Sequence, residues 1–180
     1  ELWESLKANC GINSVSEIQI IAAAAGNQND SVKLFLNRKN YGDSRIFNPK
    51  ISEKGGSYLK HGFDEQIPEV LVPMIRVADL INLPKIDVIL VDTQGWDHEV
   101  IRGTEKLIMK YRPHIVTEFT PSWISDLGLE PEKILMYYES LGYAIEILGS
   151  PEFDTRSAHK ILNFLEIHNM LYVNLWLKPV

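Results

Sequence analysis

The sequence of 180 residues predicts one layered α/β domain built on a mostly parallel sheet with an antiparallel last strand. Short apolar segments alternate with segments whose apolar residues recur at helical spacing, a pattern typical of strands joined by helices. Residues 87–91 are rich in Val, Ile and Leu, as expected for a strand covered on both faces. The connection between the last two strands is short for a helical crossover, which favours an antiparallel final pair.

The first third of the chain contains a helix, two strands and a long polar segment. Apolar residues at helical spacing predict a helix over residues 2–10. A short apolar run ending at Gly26 predicts a buried strand over 18–25, and polar–apolar alternation predicts a half-exposed strand over 32–36. Residues 38–69 are polar and rich in Gly and Pro, and a segment of this length without regular structure is often functional.

The remaining elements follow from the same rules. Pro131 suits the first turn of a helix, and Gly142 suits the position after its end. We predict strands over residues 70–77, 87–91, 114–119, 143–148 and 170–177, and helices over 78–83, 100–111, 131–141 and 158–167.

Composition excludes several classes of function. The net charge is −6 with neutral histidines, and the absence of a dense Lys/Arg stripe argues against a nucleic acid as the main partner. The single Cys10 supports neither a disulfide framework nor a cysteine metal cluster. It is compatible with a reducing, cytoplasmic setting. No apolar run reaches the length of about 18 residues that a membrane span needs.

Asp92 is the sharpest candidate for chemistry. It follows the four apolar residues 88–91 and precedes the turn Thr93-Gln94-Gly95, so it is expected at the carboxyl end of a strand. Ligands of open α/β sheets bind outside those ends. A carboxylate there can accept a proton from a substrate hydroxyl or orient a substrate. The alternative is that Asp92 only satisfies backbone donors of its turn.

The residues that start the next helix have two readings each. Trp96 either stacks on a ligand or fixes the turn to the core, and Asp97 either lines the site or caps the helix. His98 beside Glu99 is expected on a solvated helix face. Gly103 inside the helix indicates close packing on the sheet, since glycine costs about 1 kcal/mol there.

Glu118 is a second acid at a strand end. Adjacent strand ends would bring it close to Asp92, where paired carboxylates share a proton or hold a divalent ion. A salt bridge or a turn anchor is the alternative. Ser122, in the segment 120–123, would form a wall of the same cleft. The chain has no dinucleotide glycine motif, phosphate loop, nucleophile elbow or zinc-binding His-Glu-x-x-His.

Four stretches together resemble the FkbM family of S-adenosylmethionine-dependent methyltransferases. Residues 87–103 resemble the family's apolar strand, Asp, glycine turn and helix, and residues 112–118 resemble its next strand, which opens with Pro and ends with Glu. Residues 6–9 and 22–27 resemble an upstream helix and an alanine-rich strand. The resemblance therefore spans most of residues 2–119. Two positions depart from the pattern: Gln94 replaces a usual Glu, and Leu90 replaces a common Lys.

The resemblance implies a Rossmann-like class I methyltransferase fold that binds S-adenosylmethionine and methylates a hydroxyl of a sugar or other small molecule. It places Asp92 and Gln94 at the junction of donor and acceptor. Ala24 and Asn27 would lie near the adenine side of the cofactor. With these positions, the catalytic residues are expected to be Asp92 and Glu118, and the acceptor-binding residues are expected to be Trp96, Asp97 and Ser122.

The family's donor-binding strand and its glycine loop are not in these residues, and we expect them upstream of Glu1. The fold is therefore expected to be incomplete at its N-terminus. A parallel sheet without its central strand would expose backbone and apolar faces, which favours self-association or pairing with an N-terminal segment. Two other functions remain open: a non-catalytic methyltransferase-like module, and a metal-dependent hydrolase using Asp92 and Glu118.

Overall fold

The structure is a computed structural model that describes residues 2–49, 62–150 and 158–180. The described chain forms two sheets with helices packed around them. The strands are β1 (Ala24–Gly26), β2 (Asp30–Phe35), β3 (Glu69–Arg76), β4 (Val88–Val91), β5 (His114–Phe119), β6 (Tyr143–Ile147) and β7 (Val173–Pro179). The helices are α1 (Leu2–Ile12), α2 (Val77–Leu80), α3 (Asp97–Tyr111), α4 (Pro121–Asp126), α5 (Pro131–Ser140) and α6 (Ala158–Ile167), with a 3-10 turn at Tyr41–Asp43.

The two sheets are mixed. The first has the order β1-β3-β2 and the second the order β4-β5-β7-β6. Among the described pairs, β1–β3 and β4–β5 are parallel, whereas β2–β3, β5–β7 and β6–β7 are antiparallel. A mixed α/β fold is therefore shown, but the mostly parallel, Rossmann-like sheet is not confirmed. The last strand is antiparallel to both neighbours, as its short connection predicted.

The core lies on one face of the second sheet. Side chains alternate along a strand, so the inward positions of β5, β6 and β7 meet helices α3, α5 and α6. Ile108 of α3 and Ile115, Leu175 and Leu177 of the sheet have no exposed surface. This packed layer fixes the start of α3 against the ends of β4 and β5.

The strand β4 differs from its prediction. Val91 is 3% exposed, but Val88 and Leu90 are 61% and 73% exposed. The expectation that residues 87–91 are covered on both faces is therefore wrong for the described structure. The reason is that Val88 and Leu90 lie on the face of β4 that borders an open groove and do not pack in the core.

Other boundaries shift by a few residues. Strand β1 is shorter than the predicted 18–25, and α2 is shorter than 78–83. The connection after β5 contains the unpredicted helix α4. Of the long polar segment, residues 50–61 lie outside the described part. Gly103 packs on β1 as predicted, since a Cβ there would lie 1.8 Å from the carbonyl oxygen of Gly26.

Candidate active site

The turn after β4 has an unusual backbone. Gln94 and Gly95 have φ values of 52° and 90°, in the left-handed region that favours glycine. The N–H of Trp96 donates to the carbonyl of Thr93 at 3.3 Å and closes the turn. Two successive residues of positive φ reverse the chain sharply and leave Asp92 exposed at its start.

Asp97 anchors this turn. Its carboxylate is buried, with 3% of the residue exposed, and accepts hydrogen bonds from the N–H and Oγ1 of Thr93 at 3.3 and 3.1 Å. Its other oxygen accepts from Oγ1 of Thr117 on β5 at 3.1 Å. Burial raises the pKa of Asp97, while the Thr117 and Thr93 hydrogen bonds lower it. The capping position itself is occupied by Trp96, so Asp97 ties the turn to β5.

Glu118 and Asp92 lie at neighbouring strand ends. Val91 and Thr117 are paired in the parallel register, and the two acids come directly after that pair. Nε2 of Gln94 donates to Oδ1 of Asp92 at 3.0 Å. Asp92 and Glu118 therefore lie at adjacent strand ends, as the strand order predicted, and the charge of Asp92 raises the pKa of Glu118.

The pKa of Glu118 is raised to near neutrality. Burial raises the pKa of Glu118 to about 7, and the negative charges of Asp97 and Asp92 add to that effect. Oγ1 of Thr120, which donates at 3.4 Å, and the Arg45 guanidinium act in the opposite direction. A carboxyl that titrates near neutrality suits general acid–base chemistry.

The other predicted site residues lie around these acids. Trp96 is partly buried against the core, with its ring 6.0 Å from that of His98. Its Nε1 has no hydrogen-bond partner among the described residues. Ser122 is exposed in the first turn of α4.

His98 corrects one prediction. It is buried, with 2% exposed, so the expected solvated helix face is wrong at this position. Burial, followed by the positive charge of Arg102, lowers the pKa of His98 to about 4. The imidazole is therefore neutral at pH 7 and belongs to the packed start of α3.

The predicted cofactor residues Ala24 and Asn27 lie on β1 and directly after it. Ala24 pairs with Met74 on β3, and the carbonyl of Asn27 accepts from Nε of Arg76 at 2.8 Å. Ala25, between them, lines one wall of a groove of about 410 Å³. Asp92 and Thr93 line the same groove, whose other walls are mostly apolar and come from β4, α3 and residues 77–86. Both Ala24 and Asn27 are outside the lining of this groove.

Sequence reasoning missed an aromatic and cationic cluster beside the turn. Arg45 is 1% exposed, and its Cζ lies 4.1 Å from the ring centroid of Trp123. Phe47 and Phe63 complete the cluster. No local motif marks Arg45 or Phe47, because their partner Trp123 is far along the chain. Only the long polar segment itself hinted that these residues shape a site.

The described residues contain neither a metal-binding group of side chains nor a membrane-spanning helix. Within residues 2–49, 62–150 and 158–180, no three His, Cys, Asp or Glu side chains gather in a metal-binding arrangement. In the same ranges, no helix has the length and apolar character needed to cross a membrane.

Fold and site together define an α/β protein whose candidate active site lies at the carboxyl ends of two parallel strands. The model of the Methyltransferase FkbM domain matches residues 4–172, so the chain belongs to the FkbM methyltransferase domain family. Members of that family generally depend on S-adenosylmethionine. The resemblance seen in the sequence is thereby confirmed.

The crystal structure of Methyltransferase FkbM from Methylobacillus flagellatus KT is similar to this chain at 12% identity and a TM-score of 0.49. The match covers 98% of this chain and 32% of that one, so the chain spans about a third of that protein's length. No curated protein gives a significant match.

Proposed function

We propose that this chain forms the acceptor side of an S-adenosylmethionine-dependent O-methyltransferase acting on a hydroxyl of a sugar or another small molecule. The observation that carries the proposal is the position of Glu118. It lies beside Asp92 at the strand ends, and its pKa is raised to about 7 by burial and by the two aspartates. Near neutral pH such a carboxylate is a base that an acceptor hydroxyl can reach.

The roles follow from burial and hydrogen bonding. Glu118 accepts the proton of the acceptor hydroxyl, and exposed Asp92 orients the acceptor with Gln94, whose Nε2 already bonds to it at 3.0 Å. Trp96 and Ser122 line the acceptor pocket. Asp97 contributes through the turn, because its two oxygens are engaged by Thr93 and Thr117.

The groove between β1 and β4 suits the donor. Its volume of about 410 Å³ is in the usual range for small-molecule sites, and Asp92 places a carboxylate at its edge. A carboxylate stabilises a cationic sulfonium, and the bound donor supplies an electrophilic methyl group. Ala24 and Asn27, the residues proposed for its adenine side, lie next to Ala25 but outside the groove's lining, so the adenine would extend beyond the groove. Donor binding by a longer polypeptide that contains these residues is part of the proposal.

The test combines donor binding with methyl transfer to a panel of hydroxyl compounds, measured on the longest natural polypeptide that contains these residues. We expect Glu118→Gln to reduce kcat by about 10²- to 10⁴-fold, the range for loss of a general base. It should leave the donor dissociation constant nearly unchanged. Exposed Glu132→Gln on α5 is the matched control. Absence of donor binding by the wild-type polypeptide would refute the proposal.

A second candidate function rests on the exposed side of β4. Leu90 is 73% exposed on a terminal strand, and an exposed apolar edge strand tends to pair with another strand. A non-catalytic module would use this edge to pair with an N-terminal segment or a second copy. Light scattering of the wild type and of Leu90→Lys, together with donor binding, distinguishes the methyltransferase from the binding module. The binding module is favoured if the wild type forms dimers that the variant does not form, and if the wild type does not bind the donor.

A further inference from the structure

Arg45 lies deep beside the candidate active site and is held from two sides. Its main chain forms a β-bridge with Phe35, with N–H···O distances of 2.8 and 3.0 Å. Its Nε donates to Oδ1 of Asp43 at 2.8 Å, and the other oxygen of Asp43 accepts from Nδ2 of Asn37 at 3.3 Å. The guanidinium therefore has a fixed position although it belongs to an irregular segment.

The guanidinium lies among three aromatic rings. Its Cζ is 4.1 Å from the ring centroid of Trp123, 5.2 Å from that of Phe63 and 5.7 Å from that of Phe47. A planar guanidinium stacks on aromatic faces, and the cation–π contact strengthens when water is excluded from it. Arg45 thus holds Trp123, from α4, and Phe47, from its own segment, in one cluster.

This aromatic cluster packs against the turn that follows Asp92. A Cβ at Gly95 would lie 3.0 Å from the Phe47 ring and 3.1 Å from the Trp123 ring. Since Gly95 also has a φ of 90°, its backbone approaches the rings as only glycine can. The rings therefore determine where the turn lies, and with it Asp92.

Arg45 also acts on the charge of the site. The pKa of Glu118 depends on its burial and on four nearby groups. These are the carboxylates of Asp97 and Asp92, the hydroxyl of Thr120 and the guanidinium of Arg45. Among these groups, all from the described residues, Arg45 is the cation that lies near Glu118. It lowers the pKa of Glu118, whereas both aspartates raise it.

We propose that Arg45 is a positioning residue of the candidate active site. Through Trp123 and Phe47, it holds the Gly95 turn in place. Its buried positive charge offsets the two aspartates beside Glu118. The proposal rests on the proposed function for the role of Glu118, but its test needs no catalysis.

The charge readout is the titration of Glu118, followed by ¹³C-carboxyl NMR in the full chain and assigned with Glu118→Gln. We expect Arg45→Gln to raise the pKa of Glu118 by roughly 0.5 to 1 unit, as loss of a nearby opposite charge does. Arg45→Lys keeps the charge and should stay near the wild-type value. Arg38→Gln removes an exposed charge from the same segment and should change nothing. An unchanged titration in folded Arg45→Gln would overturn the proposal, as would an equal shift in Arg38→Gln.

The positioning readout is hydrogen exchange of the Trp96 amide, whose bond to the Thr93 carbonyl closes the turn. In both Arg45→Lys and Arg45→Gln, the Trp96 amide should exchange several-fold faster than in the wild type, because neither replacement side chain stacks on the rings as a planar guanidinium does. Exchange should stay at the wild-type rate in Arg38→Gln. Wild-type protection in both Arg45 variants contradicts the positioning role.

If Arg45→Gln does not fold, Asp43→Asn provides the charge readout instead. Removing the carboxylate that pairs with Arg45 leaves the guanidinium less neutralised, so the pKa of Glu118 should fall. No change in that pKa would overturn the proposal. Either outcome is independent of methyl transfer, so the proposed function can fail or stand separately.

Discussion

The buried imidazole of His98 makes stability depend on pH in a way that one substitution can isolate. Its pKa is lowered from 6.5 to about 4, first by burial and then by Arg102. The folded protein therefore favours the neutral form. The stability that depends on neutral His98 is fully present above pH 6.5 and is lost as the pH falls towards 4.

The magnitude follows from the size of this shift. A difference of about 2.5 pKa units corresponds to about 3 kcal/mol, at about 1.4 kcal/mol per unit. The residue is 2% exposed, so solvent screening reduces this little. Glu118 works in the opposite direction, because its raised pKa of about 7 lowers stability at neutral pH, and that cost disappears as the pH falls towards 4.5. Since Glu118 is partly exposed and its charge is screened by water, we expect its contribution to the free energy of unfolding to be on the order of 1 kcal/mol.

The assay is urea unfolding between pH 4 and 8 of the wild type and of His98→Phe, which keeps a flat ring beside Trp96 and removes the titration. The difference in unfolding free energy between the two proteins cancels the contributions of Glu118 and the other carboxyls. That difference should move by about 3 kcal/mol in favour of the variant between pH 6.5 and 4. A difference that is constant over this range would refute the buried, neutral assignment of His98.

Two glycine substitutions, each with a matched control, test the packing. Gly103→Ala should lower the free energy of unfolding by several kcal/mol, measured with denaturant, because its Cβ would lie 1.8 Å from the carbonyl oxygen of Gly26. The control is Gly11→Ala in α1, where no atom lies within 4 Å of the new Cβ, and it should raise the free energy of unfolding by up to about 1 kcal/mol. Gly95→Ala should cost more than Gly128→Ala, since both have positive φ but only Gly95 is crowded by aromatic rings. Equal losses within either pair would contradict the close contacts.

Local patterns predicted those elements whose cause is local. The strand over residues 114–119 has the predicted bounds, and α5 begins at Pro131 as the preference of proline for the first turn indicates. The packing reason for Gly103 was also accessible, because a glycine inside an otherwise good helix points to a close approach. In each case the signal lies within a few residues of the feature.

The features that sequence reasoning missed depend on long-range packing. The antiparallel last strand was predicted from its short connection, but the antiparallel pairing of β2 with β3 has no comparable local signal, because strand direction depends on which strands meet. The apolar run of residues 87–91 predicted burial on both faces, but Leu90 is exposed because its face of β4 borders an open groove. His98 has a polar neighbour in the sequence and a buried environment in space. Arg45 meets Trp123 from a segment that has no motif.

The geometry also moves the proposed proton chemistry from Asp92 to Glu118. Asp97 accepts three hydrogen bonds from the turn and from β5, so both of its oxygens are engaged. Asp92 is exposed at the start of the turn. Glu118 is partly buried and accepts a long hydrogen bond from Thr120, and its pKa is raised to about 7 by burial and by both aspartates. Glu118 can therefore bind and release a proton near neutral pH, and an acceptor hydroxyl placed between Asp92 and Glu118 would give its proton to Glu118.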